Sequence, residues 1–224
     1  MCGIVAILSR DRPVSPEALA RAMAALHHRG PDGQDSWLAP GGGVALGHTR
    51  LSIIDLEGGA QPIANEAGDV RIAVNGEFYD YERIRAVLER AGHRFRTKSD
   101  SEIALHLYED HGLEAVHRLR GEFAFVLWDE REDTLIAVRD RYGIKPLYYT
   151  EHGGALYLAS EMKALFAAGV PARWDWEAVL LGAALRGAAR TPFEGVRALP
   201  AGHRLIAGRG GVRIERYGDI DDTL

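Results

Sequence analysis

A single cysteine, Cys2, in 224 residues excludes any intrachain disulfide framework and any multi-cysteine zinc site, and fits a reducing compartment, the cytoplasm by default. Long apolar runs are also missing. The stretch Ala178 to Leu185 meets Arg186 after eight residues, well short of the roughly 20 needed to cross a bilayer. The apolar run Gly3 to Leu8 has no positive region ahead of it, so it does not read as a signal peptide. Charge of one sign is scarce as well: 27 Lys and Arg against 32 Asp and Glu give a net charge of −5. The basic residues are scattered, which leaves no footprint for nucleic acid. Neither GxGxxG nor GxxxxGK[ST] occurs at the Gly41–Gly43 or Gly208–Gly211 tracts, which read as turns between strands. The nine histidines form no HExxH and no Cys/His zinc spacing, so no catalytic metal is expected. Asp221 and Asp222, in a polar tail, read as solvated charge. No internal repeat, heptad run or low-complexity segment interrupts the chain.

What is present is an ordinary globular balance, 46% hydrophobic and 26% charged in 24.5 kDa, enough to bury a core. Cys2 to Leu8 is apolar on both faces, as a buried strand requires. Ser15 and Pro16 supply an N-cap and a first-turn proline for a helix through Leu19, Met23 and Leu26. Further helices are expected after Asp80, ending at Gly92, and after Ser99 and Asp100, ending at Gly112. Strands are expected over 44–51, 70–75, 122–128, 135–139, 147–149, 156–159, 204–207 and 212–217. So many strands with so few helices between them argue for antiparallel pairing and an α+β class, because parallel crossovers need a dozen residues or more.

Cys2 follows an initiator methionine that is removed efficiently before so small a side chain. It would then carry a thiol and a free α-amine, a nucleophile and a base on one residue. Read alone, it is equally a small buried hydrophobe near a chain end. At Asn75–Gly76 the strand from Val70 ends in a dipeptide typical of a hairpin turn. Glu77 to Asp80 instead lead into a helix, which leaves the Asn amide and the Gly N–H free to hold an oxyanion. Arg50 and Asp100 read singly as a surface cation and a helix N-cap. As a pair they could grip the carboxylate and ammonium of a free amino acid.

Together, Cys2-Gly3-Ile4, Arg29-Gly30-Pro31-Asp32-Gly33, Gly47 to Ile53, Asn75-Gly76-Glu77 and Ser99-Asp100 resemble the class II glutamine amidotransferase domain, a family of N-terminal nucleophile hydrolases. Arg139 to Tyr149, Ser160 to Leu165 and Leu199 to His203 resemble its asparagine synthetase branch. The resemblance runs from Cys2 to about Tyr217. It implies a domain over residues 1–218 folded as a four-layer αββα sandwich of two antiparallel sheets between helix layers, followed by a linker or tail over 219–224. It also implies hydrolysis of L-glutamine to glutamate and ammonia through a thioester on Cys2, with the α-amine as base and Asn75 and Gly76 as the oxyanion hole. By the same resemblance Arg50 holds the glutamine carboxylate, Asp100 and Glu77 lie near its ammonium, Ile53 offers a backbone contact, and Arg29 belongs to a loop covering the site. Position 80 is Asp where the family usually has Asn.

The resemblance also implies a partner. Members of this branch continue into a synthetase domain with an SGGxDS loop for ATP, and no such loop occurs here. The expectation is an excised domain or a separate synthetase subunit that accepts the ammonia, with ATP and magnesium needed only there and no cofactor here. The acceptor, aspartate or another carboxylate, and the oligomeric state, a homodimer included, are left open. The rival readings are another N-terminal cysteine amidohydrolase, which would not need both Arg50 and Asp100, and a docking domain that has lost the reaction.

Overall fold

In the computed structural model, which describes residues 1–185, 187 and 189–218, odd and even residues of the opening strand go to different layers. The elements run β1 (Gly3–Ser9), α1 (Pro16–Ala25), β2 (Gly33–Leu38), β3 (Val44–Arg50), β4 (Ile63–Ala64), β5 (Val70–Phe78), α2 (Tyr81–Ala91) and α3 (Glu102–His111). They continue as β6 (Gly121–Asp129), β7 (Thr134–Arg139), β8 (Tyr148–His152), β9 (Ala155–Ala159), α4 (Met162–Ala168), α5 (Trp176–Leu185), β10 (Arg197–Ala198), β11 (His203–Gly208) and β12 (Gly211–Arg216). One six-stranded sheet has the order β10-β8-β9-β1-β3-β2, the other β12-β11-β7-β6-β5-β4. All strand pairs in both are antiparallel.

Ile4, Ala6 and Leu8 of β1 meet Ala73, Ala124 and Val126 of the other sheet, while Val5 and Ile7 face Leu19 and Met23 of α1 and Leu165 of α4. In the second sheet Ile72, Val74, Phe123 and Phe125 turn outward onto Leu88 of α2 and Ile103 and Leu107 of α3. The result is the four-layer order helix, sheet, sheet, helix. Each fully buried Leu, Ile or Phe contributes about 1.5–3 kcal/mol. A one-residue slip would exchange layers for every side chain of a central strand, so register here is strongly held.

The helix signals after Ser15, Asp80 and Ser99–Asp100 each precede a helix. Ser15 Oγ accepts the Ala18 N–H at 3.2 Å, as an N-cap should. The dipeptide Asn75–Gly76, by contrast, does not end a strand: β5 runs on to Phe78, paired residue by residue with the equally long β6. Edge strand β2, with its exposed Gln34, Asp35 and Ser36, shows no apolar alternation and was not expected. The two-residue strands β4 and β10 carry too little pattern to read. Arg186, Asp221 and Asp222, and the linker or tail expected over 219–224, lie outside the described residues.

Candidate active site

A pocket of about 110 Å³ opens where the ends of β1, β3 and β5 meet, and Cys2, Arg50, Ile53, Asn75, Gly76, Glu77 and Asp100 all line it. Two anchors fix the strand that follows Cys2 at its start. The Ile4 N–H donates to Ser160 Oγ at 2.9 Å, and Arg29 Nε donates to the Cys2 carbonyl at 2.9 Å. The Cys2 Sγ lies 3.4 Å from the Leu51 nitrogen and 3.7 Å from its carbonyl oxygen. Met1 lines the same pocket, so in this form the Cys2 nitrogen is an amide and has no basic lone pair.

The parity of β5 decides what faces the pocket. The Val74 N–H donates to Gln61 Oε1 at 2.6 Å and the Phe78 N–H to Asp100 Oδ2 at 2.7 Å, both on the side away from β6. The Gly76 N–H lies between them on that same side, with no partner among the described residues. Gly76 sits at φ 148°, and a Cβ there would stand 2.1 Å from the Glu122 carbonyl oxygen, so only glycine allows this approach of β5 to β6. The adjacent Asn75 is fully buried, yet among the described residues neither its Nδ2 nor its Oδ1 has a partner. A buried amide with its hydrogen bonds unmade is costly, and its place in a pocket wall marks it as a group held for a ligand.

At the other end two charges lack counter-charges. Arg50 donates from Nη1 to the Leu56 carbonyl at 3.3 Å and from Nη2 to the Ile54 carbonyl at 3.3 Å and to that of Asp55, and meets no carboxylate. Asp100 is 3% exposed and pairs with no cation among the described residues. Burial pushes its carboxyl above the ordinary range, against the Phe78 N–H and the Ser99 hydroxyl, which favour the anion; nearby Glu77 adds to the rise. Behind the pocket, buried His48 on β3 donates from Nε2 to the Val74 carbonyl at 2.9 Å, tying the two sheets together, and burial brings its pKa down to about 4.

The chain from residue 1 to 218 matches the family model described as glutamine amidotransferase domain. The chain belongs to that family. This class II glutamine amidotransferase domain is 44% identical over 218 residues to amidase chry2 of Gibberella zeae, covering 92% of this chain and 32% of that protein. It is 38% identical to asparagine synthetase [glutamine-hydrolyzing] 2 of Bacillus subtilis, covering 92% of this chain and 28% of the relative. The chain thus spans about a third of the length of these curated relatives. Among solved structures, glutamine phosphoribosylpyrophosphate amidotransferase of Bacillus subtilis superimposes with a TM-score of 0.75 at 22% identity, over 97% of this chain and 49% of that one, a likeness of fold.

In this amidotransferase domain Arg29 lies not in a covering loop but in a 3₁₀ turn, His27–Arg29, beneath the cysteine. Besides the Cys2 carbonyl it grips Glu161 at 2.8 Å. Burial opposes ionisation of Glu161, but Arg29, His28 and Lys163 together hold its pKa down to about 2. Gly30 lets that turn approach β3, since a Cβ would stand 2.3 Å from the Arg50 nitrogen. Asp100 does not cap α3 with its side chain, because the carboxylate is engaged by Phe78 instead. Gln61 went unnoticed in the sequence: it joins β5 to Ser101, its Nε2 donating to Ser101 Oγ at 3.3 Å. So did the ion pair of Lys145 with Glu122, 3.3 Å apart in the pocket wall. Lys145 falls within the Arg139 to Tyr149 motif, whose density of charged and aromatic residues was the available signal.

Proposed function

We propose that this domain hydrolyses L-glutamine to L-glutamate and ammonia through a thioester on Cys2, once Met1 has been removed. The observation that carries the reading is the pair of unanswered charges: Arg50 without a carboxylate and Asp100 without a cation, in one pocket with a thiol and an unpartnered amide. A zwitterionic amino acid with a side-chain amide answers all four. Its carboxylate takes the Arg50 fork, and its ammonium meets the Asp100 carboxylate, with Glu77 nearby. Ile53 supplies a main-chain contact.

In the first half-reaction the freed α-amine takes the Sγ proton and the thiolate attacks the amide carbon. The resulting oxyanion is met by Asn75 Nδ2 and the Gly76 N–H. The C–N bond then breaks, the leaving nitrogen takes the proton from the α-ammonium, and ammonia departs. Water, deprotonated by the same amine, attacks the thioester, and its collapse releases glutamate and returns the thiol. No cofactor takes part. The ammonia passes to an ATP- and magnesium-dependent synthetase domain or subunit, with aspartate as acceptor on the likeness to asparagine synthetases. Another carboxylate is the alternative acceptor. A reducing cytoplasm suits the free thiol.

The test is to assay the chain for equal yields of glutamate and ammonia without ATP, and then treat it with an electrophilic glutamine analogue. The expected outcome is turnover, and a mass increment on the Cys2 peptide. Failure of a chain lacking Met1 to hydrolyse glutamine overturns the reading. Asparagine formation from aspartate and ATP by this chain alone overturns the assignment of synthesis to a partner.

A further inference from the structure

Outside the pocket, four side chains converge from three segments: Glu66 after β4, His93 after α2, and His106 and Glu109 on α3. One ligand atom from each lies within 4.8 Å of every other. None of the four lines the pocket. We propose that Glu66, His93, His106 and Glu109 form a structural zinc site that staples the segment after α2, and the loop after β4, to α3.

The grounds are in how each side chain is held. The outer atoms of Glu66, Glu109 and His93 are tied, His106 Nε2 faces Glu102, and the inner atom of each of the four is turned toward the others. Glu66 Oε1 accepts the Arg94 N–H at 2.7 Å, and Glu109 Oε1 accepts from Asn65 Nδ2 at 2.7 Å. His93 Nε2 stands 3.0 Å from Asp110 Oδ1, and His106 Nε2 stands 3.5 Å from Glu102 Oε1. The remaining atoms are Glu66 Oε2, Glu109 Oε2 and two Nδ1 nitrogens. From His106 Nδ1 to Glu109 Oε2 is 2.8 Å and to Glu66 Oε2 3.9 Å, and from His93 Nδ1 to Glu109 Oε2 is 3.7 Å.

Zinc with nitrogen and oxygen ligands at about 2.0–2.2 Å in a tetrahedron sets its ligand atoms roughly 3.3–3.6 Å apart, so side-chain shifts of up to about an ångström would seat it. The two carboxylates behind the imidazoles are the partners that metal-bound histidines generally use to fix their tautomer and raise their basicity. Two anionic oxygens and two neutral nitrogens would also balance the charge of a divalent ion. Binding would release the proton now shared between His106 Nδ1 and Glu109. His106 is fully buried, and its Nε2 has no well-formed hydrogen bond among the described residues.

The site reaches the recognition end of the pocket through Glu102. Its two oxygens accept the Arg96 N–H at 2.7 Å and the Thr97 N–H at 2.8 Å, and Thr97 begins the turn that carries Ser99 and Asp100.

Untagged protein, stripped with a chelator and titrated with zinc alone, should bind about one ion per chain with a dissociation constant below about 1 µM, and its thermal midpoint should rise. X-ray absorption should find nitrogen and oxygen ligands only. His93→Ala and Glu109→Gln should each weaken binding on the order of a hundredfold or more while circular dichroism stays unchanged. His93 is half-way to the surface, so its loss tests the site rather than the fold; Cys2→Ala should bind zinc as the parent does. Absence of stoichiometric binding, a sulfur ligand in the absorption spectrum, or undiminished binding by His93→Ala would overturn the site. None of these readouts depends on glutamine turnover, so their failure leaves the glutaminase reading standing.

Discussion

The two ends of the pocket are built differently. The proposed reacting end, Cys2 with Asn75 and Gly76, stands on β1, in the middle of its sheet, and on β5, paired along its whole length with β6, both with core on each face. The recognition end stands on the loop after β3 and on the turn before α3, and Arg50 there is already occupied by carbonyls of its own loop. Strands place atoms to within a fraction of an ångström, as transition-state contacts require. Loops can give way to admit a substrate and close on it. The division implies that damage to the first end should appear in turnover and damage to the second in substrate affinity.

Cys2→Ala tests this most severely. Glutamine hydrolysis should fall to background while far- and near-ultraviolet circular dichroism stay as they were. Next in size is Asn75→Ala, expected to lower kcat about 10²–10³-fold with little change in binding of unreacted glutamine, because the oxyanion exists only near the transition state. If binding weakens as much as turnover, Asn75 belongs to the recognition end and the contrast is lost.

The scaffold of the reacting end has its own acid limit. His48 is held neutral in the fold to about pH 4, against about 6.5 when unfolded. Between those values the unfolded chain binds the extra proton, so stability is full above pH 6.5 and declines as pH falls toward 4. The decline attributable to His48 is on the order of 3 kcal/mol. Asp100, with its carboxyl raised, works in the opposite sense, so Asp100→Asn should steepen the decline. Urea unfolding at several pH values, with an NMR titration of the His48 ring, measures it; a ring that titrates near 6.5 refutes it.

At the recognition end, Asp100→Ala and Arg50→Ala should each raise KM for glutamine roughly 10- to 100-fold and leave kcat less affected. The parent enzyme should discriminate against N-acetylglutamine by a similar factor, since that amide has no ammonium for Asp100; equal use of both substrates would remove Asp100 from recognition. The smallest effect is expected from Ile53→Ala. That side chain is 73% exposed, so if only its main chain meets the substrate, kcat/KM should stay within about twofold.

The same contrast explains what could be read in advance. Layers and core were legible because β1, β5, β6 and β7 are apolar at successive positions and the helices between them carry caps and Gly stops. Asn75–Gly76 was legible as chemistry but not as structure: its letters fit a turn, and only the length of β6, 45 residues further along, keeps β5 extended through it. Arg29 was misread because its two partners, Cys2 and Glu161, lie 27 and 132 residues away. Gln61 and the Glu66, His93, His106 and Glu109 cluster are of the same kind, since only His106 and Glu109 share a helix face. Pairings set by the way two sheets and their loops close together leave no local pattern in the chain.

The grip of Arg29 on the first strand has a consequence for maturation. It holds the carbonyl side of Cys2, and Ser160 holds the Ile4 amide, so both anchors lie beyond the Met1–Cys2 bond. Cutting that bond exposes an amine without loosening anything that positions the thiol. On the proposed mechanism the uncut chain is already folded around the site and lacks only the free amine. Specific activity should follow the fraction of chains that have lost Met1, in direct proportion and with no lag.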